Sequence, residues 1–139
     1  MGIGMINSSF QVAVIKGDGI GIDVTDAALA VVDAARDRVG GFALDYNFIS
    51  AGAGYYKETG HDIEPGGEES AGKADAIFLG AIGLPAIRYN DGTEISPHLR
   101  LRDRFQLYAG VRPVRAFPNT PRRLADPRAQ NIDMVILRE

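Results

Sequence analysis

The sequence predicts an α/β fold, a mostly parallel sheet flanked by helices, and three observations carry that prediction. Short apolar runs, β-branched or alternating, recur at residues 12–15, 42–49, 75–83 and 132–139. Stretches with helical spacing or helix-start signals stand between them, at 22–39 and 96–106. Strands that alternate with helices favour parallel pairing, because the crossover helix returns the chain to the same end of the sheet.

Each element has its own reason. Residues 12–15, VAVI, are a continuous apolar run, the pattern of a strand buried on both faces. Glycines at 17, 19 and 21 then break the chain, and from Ile22 onward Val24, Ala27, Ala28, Val31, Val32 and Ala35 recur at helical spacing. Asp23 suits the positive end of that helix, and Gly40 with Gly41 closes it. FALDYNFI alternates Phe42, Leu44, Tyr46 and Phe48, as a half-buried strand does. A short helix is expected at 54–59. Acids after Pro65 look like a helix start, but Gly66 and Gly67 weaken any helix there. DAIFLGAIG reads as a second buried parallel strand ending in glycines, followed by a loop at 84–95. In SPHLRLRDRFQ, Ser96 is placed to cap a helix whose first residue is Pro97. YAGVRPVRAF is a further strand in which Pro113 marks an edge or an end. A Pro-rich loop leads to the last strand, IDMVILRE. There is no internal repeat and no low-complexity tract.

The bulk numbers bound the function. A chain of 139 residues, 45% apolar and 24% charged, is one domain in size and not a disordered composition. No stretch approaches the roughly 20 apolar residues needed to span a bilayer. The opening MGIGMINSSF has no basic region ahead of a long apolar core, and Ile6 stands where a myristoylation signal needs Ser or Thr. Residues 1–10 therefore read as a loose leader, and the cytoplasm as the default compartment. With no cysteine, disulfides, thiolate metal sites and a catalytic thiol are excluded. The net charge of −3 is unevenly spread: residues 1–87 hold five basic and twelve acidic side chains, residues 88–139 ten arginines and six acids. The second part therefore attracts anions. It does so without a single lysine, and arginine is the side chain that grips a planar carboxylate or phosphate at two points.

Two constellations could carry chemistry. GDGIG at 17–21 joins a strand to a helix, but Ile22 breaks the G-x-G-x-x-G spacing of a dinucleotide fingerprint, and no Lys-Ser/Thr pair follows as in a P-loop. On its own it reads as a tight turn. LRLRDRFQLYAGVRPVR at 99–115 holds five arginines. Arg100 and Arg104 share one helix face while Arg102 points elsewhere, and Arg102 with Arg112 on the next strand could converge on one anion. The competing reading pairs Arg102 with a carboxylate such as Glu139.

These residues resemble the β-decarboxylating dehydrogenases, the isocitrate, isopropylmalate, homoisocitrate and tartrate dehydrogenases. VAVIKGDGIGIDVTDAALAVVDAA, ADAIFLGAIGLP, LRLRDRFQLYAGVRPVRAFP and VILRE occur in that family's order, from Val12 to Glu139. The resemblance implies an incomplete part of the isopropylmalate dehydrogenase-like fold. It implies that Arg102, Arg112 and Arg138 hold the substrate's β-carboxylate. It puts Ser96 where a serine contacts isocitrate, and brings Ile20 and the loop near Gly83 to the nicotinamide end of the cofactor. The implied cofactors are NAD or NADP with Mg2+ or Mn2+, both bound mainly outside this chain. The implied partners are a small 2-hydroxy diacid and a second subunit in a homodimer, with no nucleic acid and no membrane.

Departures accompany the resemblance. Relatives read P-G-D-G-I-G-P-E where this chain has Lys16 and then Ile22 and Asp23, and they keep a helix near Pro65 where this chain has Gly66 and Gly67. His98 and Leu99 match neither the isocitrate nor the isopropylmalate pattern, and His98 reads as a surface helix residue. Family members run more than twice as long. The catalytic tyrosine, the partner-donated lysine and the metal-binding aspartates fall beyond the matching part, so no catalytic and no metal residue is assigned; neither Tyr89 nor Tyr108 takes the tyrosine's place. The expected organisation is a leader at 1–10, a first-domain α/β segment at 11–107 and the truncated start of a second domain at 108–139. The function so implied is the N-terminal part of an NAD- and metal-dependent oxidative decarboxylase of a malate-type acid, inactive alone. The alternative is a non-catalytic anion-binding or interaction module.

Overall fold

The computed structural model describes residues 8–121 and 123–138. The first seven residues of the expected leader and Glu139 of the VILRE motif lie outside them. The chain separates into two compact units, Met1–Leu101 and Arg102–Glu139.

The first unit is built on strand β1, Ser8–Gly17. It starts inside the stretch read as leader, because Ser8, Ser9 and Phe10 pair with Phe42, Ala43 and Leu44. Its centre is the most deeply buried part of the chain: Val12, Ala13, Val14 and Ile15 are all buried. β1 lies between two parallel neighbours, β2 (Phe42–Phe48) and β3 (Ala76–Ala81), in the order β2-β1-β3. Val14 is level with Phe48 on one side and Phe78 on the other. A strand with partners on both edges and cover on both faces has no use for a polar side chain, which is why VAVI is unbroken. β2 and β3 are edge strands, and β3 is accordingly only partly buried where a buried strand was expected.

Helix α1, Ile20–Val39, crosses from β1 to β2. Leu29 joins Val12 and Val14 in the core, with Leu44, Tyr46 and Phe78 packed against them. The buried side of α1 runs through Gly21, Thr25 and Leu29. Val24 and Val31, part of the apolar periodicity, are exposed, because the helix is apolar on two faces and the sheet covers one. At Gly21 a Cβ would lie 2.5 Å from the Lys16 carbonyl oxygen, and at Gly80 one would lie 2.3 Å from the same atom. The first turns of α1 thus sit against β3 through bare backbone.

Helix α2, Ala53–Thr59, and helix α3, Gly67–Lys73, connect β2 to β3. α3 forms despite its glycines. Gly66 sits before it in the left-handed conformation, Glu68 and Glu69 occupy the first turn, and Gly67 is buried where a Cβ would press on Ile49 and Ile63. The helix near Pro65 is therefore kept rather than lost. A loop braced by an Arg88–Glu94 bridge leads to α4, Pro97–Arg104.

The second unit contains β4 (Gly110–Arg115), a 3₁₀ turn at Pro127–Asn131 inside the Pro-rich segment, and β5 (Asp133–Arg138). β4 and β5 form a two-stranded antiparallel ribbon, so these strands do not extend the parallel sheet. Pro113 lies mid-strand opposite Val135; each strand has one neighbour, so a missing N–H is tolerated. Val111, Met134, Val135, Ile136 and Leu137 are exposed.

Candidate functional site

The turns that leave β1 and β3 meet at the end of the sheet. After Gly17 the chain passes through Asp18 and Gly19 into α1. The Asp18 N–H donates to the Ala81 carbonyl at 2.7 Å, tying the turn to the end of β3. The Asp18 carboxylate, in a residue only 7% exposed, accepts three backbone N–H bonds. Oδ2 accepts from Ala53 at 2.8 Å and from Gly83 at 2.8 Å, and Oδ1 accepts from Gly54 at 2.7 Å. Ala53 and Gly54 open α2, whose preceding residue is Gly52 and so offers no side-chain cap; Asp18 supplies the acceptor from elsewhere in the chain. Gly52 has φ +125°, and a Cβ there would lie 2.5 Å from Asp18 Oδ2, so glycine is what admits the carboxylate.

A cavity of about 560 Å³ opens beside this turn, lined among others by Lys16, Asp18, Ile22, Phe48, Tyr55 and Glu58. Lys16 reaches Asp26 at 2.5 Å and stands 5.4 Å from the Phe48 ring centroid. Ile20, the first residue of α1, is 70% exposed. Gly83 lies in the turn after β3 with its N–H on Asp18, and helps to line a smaller cavity of about 190 Å³ with Leu84 and Glu94. Ile20 and Gly83 therefore stand in turns leaving adjacent strands, joined through Asp18.

The loop before α4 is held by a polar network. Tyr89 donates its hydroxyl proton to Asp62 Oδ2 at 2.5 Å. Arg100 forks onto both oxygens of Asp62, at 2.7 and 3.0 Å, and donates Nε–H to Glu68 at 2.5 Å. Burial opposes the charged form of Asp62, but the bonds from Arg100 and Tyr89 outweigh it and hold the carboxyl below its ordinary range. Burial and the acceptor bond to Asp62 push Tyr89 up to about 12. The bond to Asp62 raises Arg100 further still. Ser96 occupies the cap position of α4, its carbonyl accepting from Leu99 N–H at 3.0 Å, but its hydroxyl donates back to the Glu94 carbonyl at 3.2 Å. His98 is half-buried and His61 exposed.

The arginines divide by environment. Arg36, Arg88, Arg100, Arg115 and Arg128 have carboxylate partners, Arg115 with Asp133 at 3.7 Å. The side chains of Arg102, Arg112 and Arg138 have no ion pair among the described residues, a property shared with Arg38 and Arg123. The ribbon register sets Arg112 opposite Ile136 and Arg138 opposite Gly110. Opposed residues of an antiparallel pair share a face, as do residues two apart along a strand. Arg112 and Arg138 are thus diagonal neighbours on one face of the ribbon. Arg102 lies on α4, with no bond to either among the described residues. No group of three or more His, Asp or Glu residues among those described could hold a metal ion. Among the same residues no helix is long and apolar enough to cross a membrane.

Sequence reasoning did not pick out Asp18, Asp62 or Tyr89. The available signal for Asp18 was a carboxylate wedged between two glycines at a strand-helix turn. Nothing local marked Asp62, whose partners lie 27 and 38 residues away.

Comparison with known proteins identifies the family. The family model described as isocitrate/isopropylmalate dehydrogenase matches residues 11–139. The chain is 35% identical over 132 residues to the tartrate dehydrogenase/decarboxylase of Pseudomonas putida, covering 94% of this chain and 36% of that protein. It is 38% identical over 129 residues to the 3-isopropylmalate dehydrogenase of Thermobifida fusca, covering 93% of this chain and 36% of the relative. Among solved structures it is similar to the apo β-decarboxylating dehydrogenase of Thermococcus kodakarensis, with a TM-score of 0.65, 30% identity, and coverage of 93% of this chain and 33% of that one. The chain thus spans about a third of the length of the relatives it matches. With the match running from 11 to 139, the chain belongs to the isocitrate/isopropylmalate dehydrogenase family.

Proposed function

We propose that this chain forms the N-terminal part, and the carboxylate-holding part, of an NAD-dependent oxidative decarboxylase of a malate-type 2-hydroxy acid. The observation that carries the reading is the pair Arg112 and Arg138 on one face of the β4–β5 ribbon, without ion-pair partners among the described residues. Fixed guanidinium groups left without a carboxylate of their own are placed to receive one from a ligand, and each can do so through two parallel N–H bonds.

In such a reaction the C2–H leaves the hydroxy acid as hydride for the nicotinamide while the hydroxyl loses its proton, giving a 2-oxo acid. The bond from C3 to its carboxylate then breaks, releasing carbon dioxide, and the resulting enolate takes up a proton at C3. Arg112 and Arg138, with Arg102 as the third member, hold the departing carboxylate and keep its bond to C3 aligned with the carbonyl. Ser96 stands at the start of the helix that carries Arg102, toward the substrate's distal group in this reading. Ile20 and Gly83 face the nicotinamide end of the cofactor. A divalent cation, Mg2+ or Mn2+, belongs to the same proposal, but the described residues do not fit one, and its ligands would come from elsewhere. The remaining parts of the proposal are NAD rather than NADP, a homodimer in the cytoplasm, the division at 107/108, and inactivity of this chain alone.

The test is Arg112→Met in the protein expressed from its intact reading frame, assayed with NAD, Mg2+ and a panel of tartrate, D-malate, isopropylmalate and isocitrate. Loss of an arginine that orients the reacting carboxylate should lower kcat/KM by roughly a hundredfold or more. Unchanged turnover would sink the assignment. Citrate binding by the wild-type protein without any reduction of NAD would instead favour an anion-binding module, the reading suggested by the arginine-rich second part.

A further inference from the structure

We infer that Asp18 is a positioning residue: its buried carboxylate joins the start of α2 and the turn after β3 into one rigid edge, and so fixes the Gly83 turn against the cofactor. The second half of this inference rests on the reading that Gly83 borders the nicotinamide.

Three features support it. The donors come from two segments far apart in sequence, Ala53 and Gly54 on one side and Gly83 on the other, and all three donate to this one carboxylate. Both segments use a backbone conformation that side chains rarely adopt, φ +125° at Gly52 and φ +121° at Gly83. Such conformations persist where surrounding bonds over-determine them. The acid is itself held from behind: its N–H is bonded to the Ala81 carbonyl and its carbonyl accepts from Gly21 N–H at 2.8 Å, the first turn of α1. A carboxylate has only acceptor oxygens, so it can satisfy three N–H groups at once. An amide cannot, because one oxygen becomes an NH2 that faces a donor. Ala53 is fully buried, and a buried N–H left without an acceptor costs more than the bond it lost, so the turn that carries it would open to water.

The discriminating variant is Asp18→Asn, nearly identical in volume and therefore no threat to the packing beside Gly52. Amide hydrogen exchange is measured first on wild type and variant. Oδ2 serves Ala53 and Gly83 and Oδ1 serves Gly54, so the new NH2 faces one set or the other. If one carboxylate joins the turns, protection should fall at Gly83 as well as at Ala53 and Gly54 whichever it faces, while Val14 and Ile15 within β1 keep theirs. If Gly83 keeps its protection when Ala53 or Gly54 loses its own, the carboxylate does not join the two turns and the inference falls.

Kinetics on the protein from its intact reading frame supply the second arm. Asp18→Asn should raise KM for NAD by about tenfold, since small displacements of a positioning group cost that much or more, while KM for the hydroxy acid stays within about twofold. A purely structural role would lower kcat with the folded fraction and leave both KM values alone; that result overturns the positioning role. If the wild-type protein neither binds nor reduces NAD, the proposed function has failed, and the cofactor half of this inference fails with it. Equal NAD affinity in wild type and variant defeats the inference while leaving the proposed function standing.

Discussion

Arg100 and Arg102 are two residues apart on one helix, yet their side chains have different fates. Arg100 is bound by Asp62 and Glu68, and Tyr89 completes the network from the loop before the helix. That network gives a pH signature. Tyr89 is raised to about 12, above the ordinary tyrosine value near 10, so the folded state disfavours its ionisation. Its contribution is fully present below pH 10 and is lost as the pH climbs from 10 to 12, because the unfolded chain ionises first. Asp62 behaves oppositely: its lowered pKa stabilises the fold above the ordinary carboxylate range and that contribution is lost as pH falls through the folded value. Thermal stability should therefore fall between pH 10 and 12, and Tyr89→Phe should flatten that limb. Ultraviolet titration should show one of the five tyrosines ionising near 12; five ordinary titrations would contradict the network.

Among the elements, the contact between α1 and β3 is the most demanding. It is made of backbone, with Gly21, Gly80 and the Lys16 carbonyl within a few ångströms, and Thr25 buried against it. The Thr25 hydroxyl has no hydrogen-bond partner among the described residues, so the contact is closed by shape rather than by polar pairing. A methyl group at Gly80 would meet the Lys16 carbonyl oxygen at 2.3 Å and Thr25 Oγ1 at 2.5 Å. The first of these is backbone of the central strand and has nowhere to go. Gly80→Ala should cost about 1–3 kcal/mol, the usual range for an overpacked interior. Urea denaturation measures it; a midpoint equal to wild type would mean that the helix lifts off the strand freely. An alanine at Gly40, where no atom lies within 4 Å, is the control for backbone strain alone.

At the scale of the molecule the two units differ in how their strands are covered. β1 has a neighbour on each edge and lies buried, whereas β4 and β5 have each other and little else. A two-stranded ribbon is marginal in water without further packing. In the 139-residue chain, hydrogen exchange should find the amides of Val14 and Ile15 protected far more strongly than those of Val111 and Ile136, by about a hundredfold or more. Equal protection would show that the ribbon is covered. The exposed run Met134 to Leu137 is where that cover would lie.

The sequence by itself determined the order and type of nearly every element. Period-2 and unbroken apolar runs report burial directly, and helix starts and glycine stops are local chemistry. It also carried the family, since four motifs in fixed order are far more specific than any one of them. Its errors came where a neighbour decides. α3 forms with a glycine as its first residue, and Ile49 and Ile63 are what leave room for nothing larger at Gly67. The apolar stripe of α1 could not reveal which of its two faces the sheet would cover. The arginines were visible as a group, but only the fold separates Arg100, neutralised by Asp62 and Glu68, from Arg112 and Arg138, set side by side by the ribbon register. Asp18 makes the same point most sharply. Its composition marks it as one acid among eighteen, and its role follows from three amides that the chain brings together from 35, 36 and 65 residues away. Local preference is written in neighbouring residues, whereas the partner of a buried charge is chosen by tertiary contact.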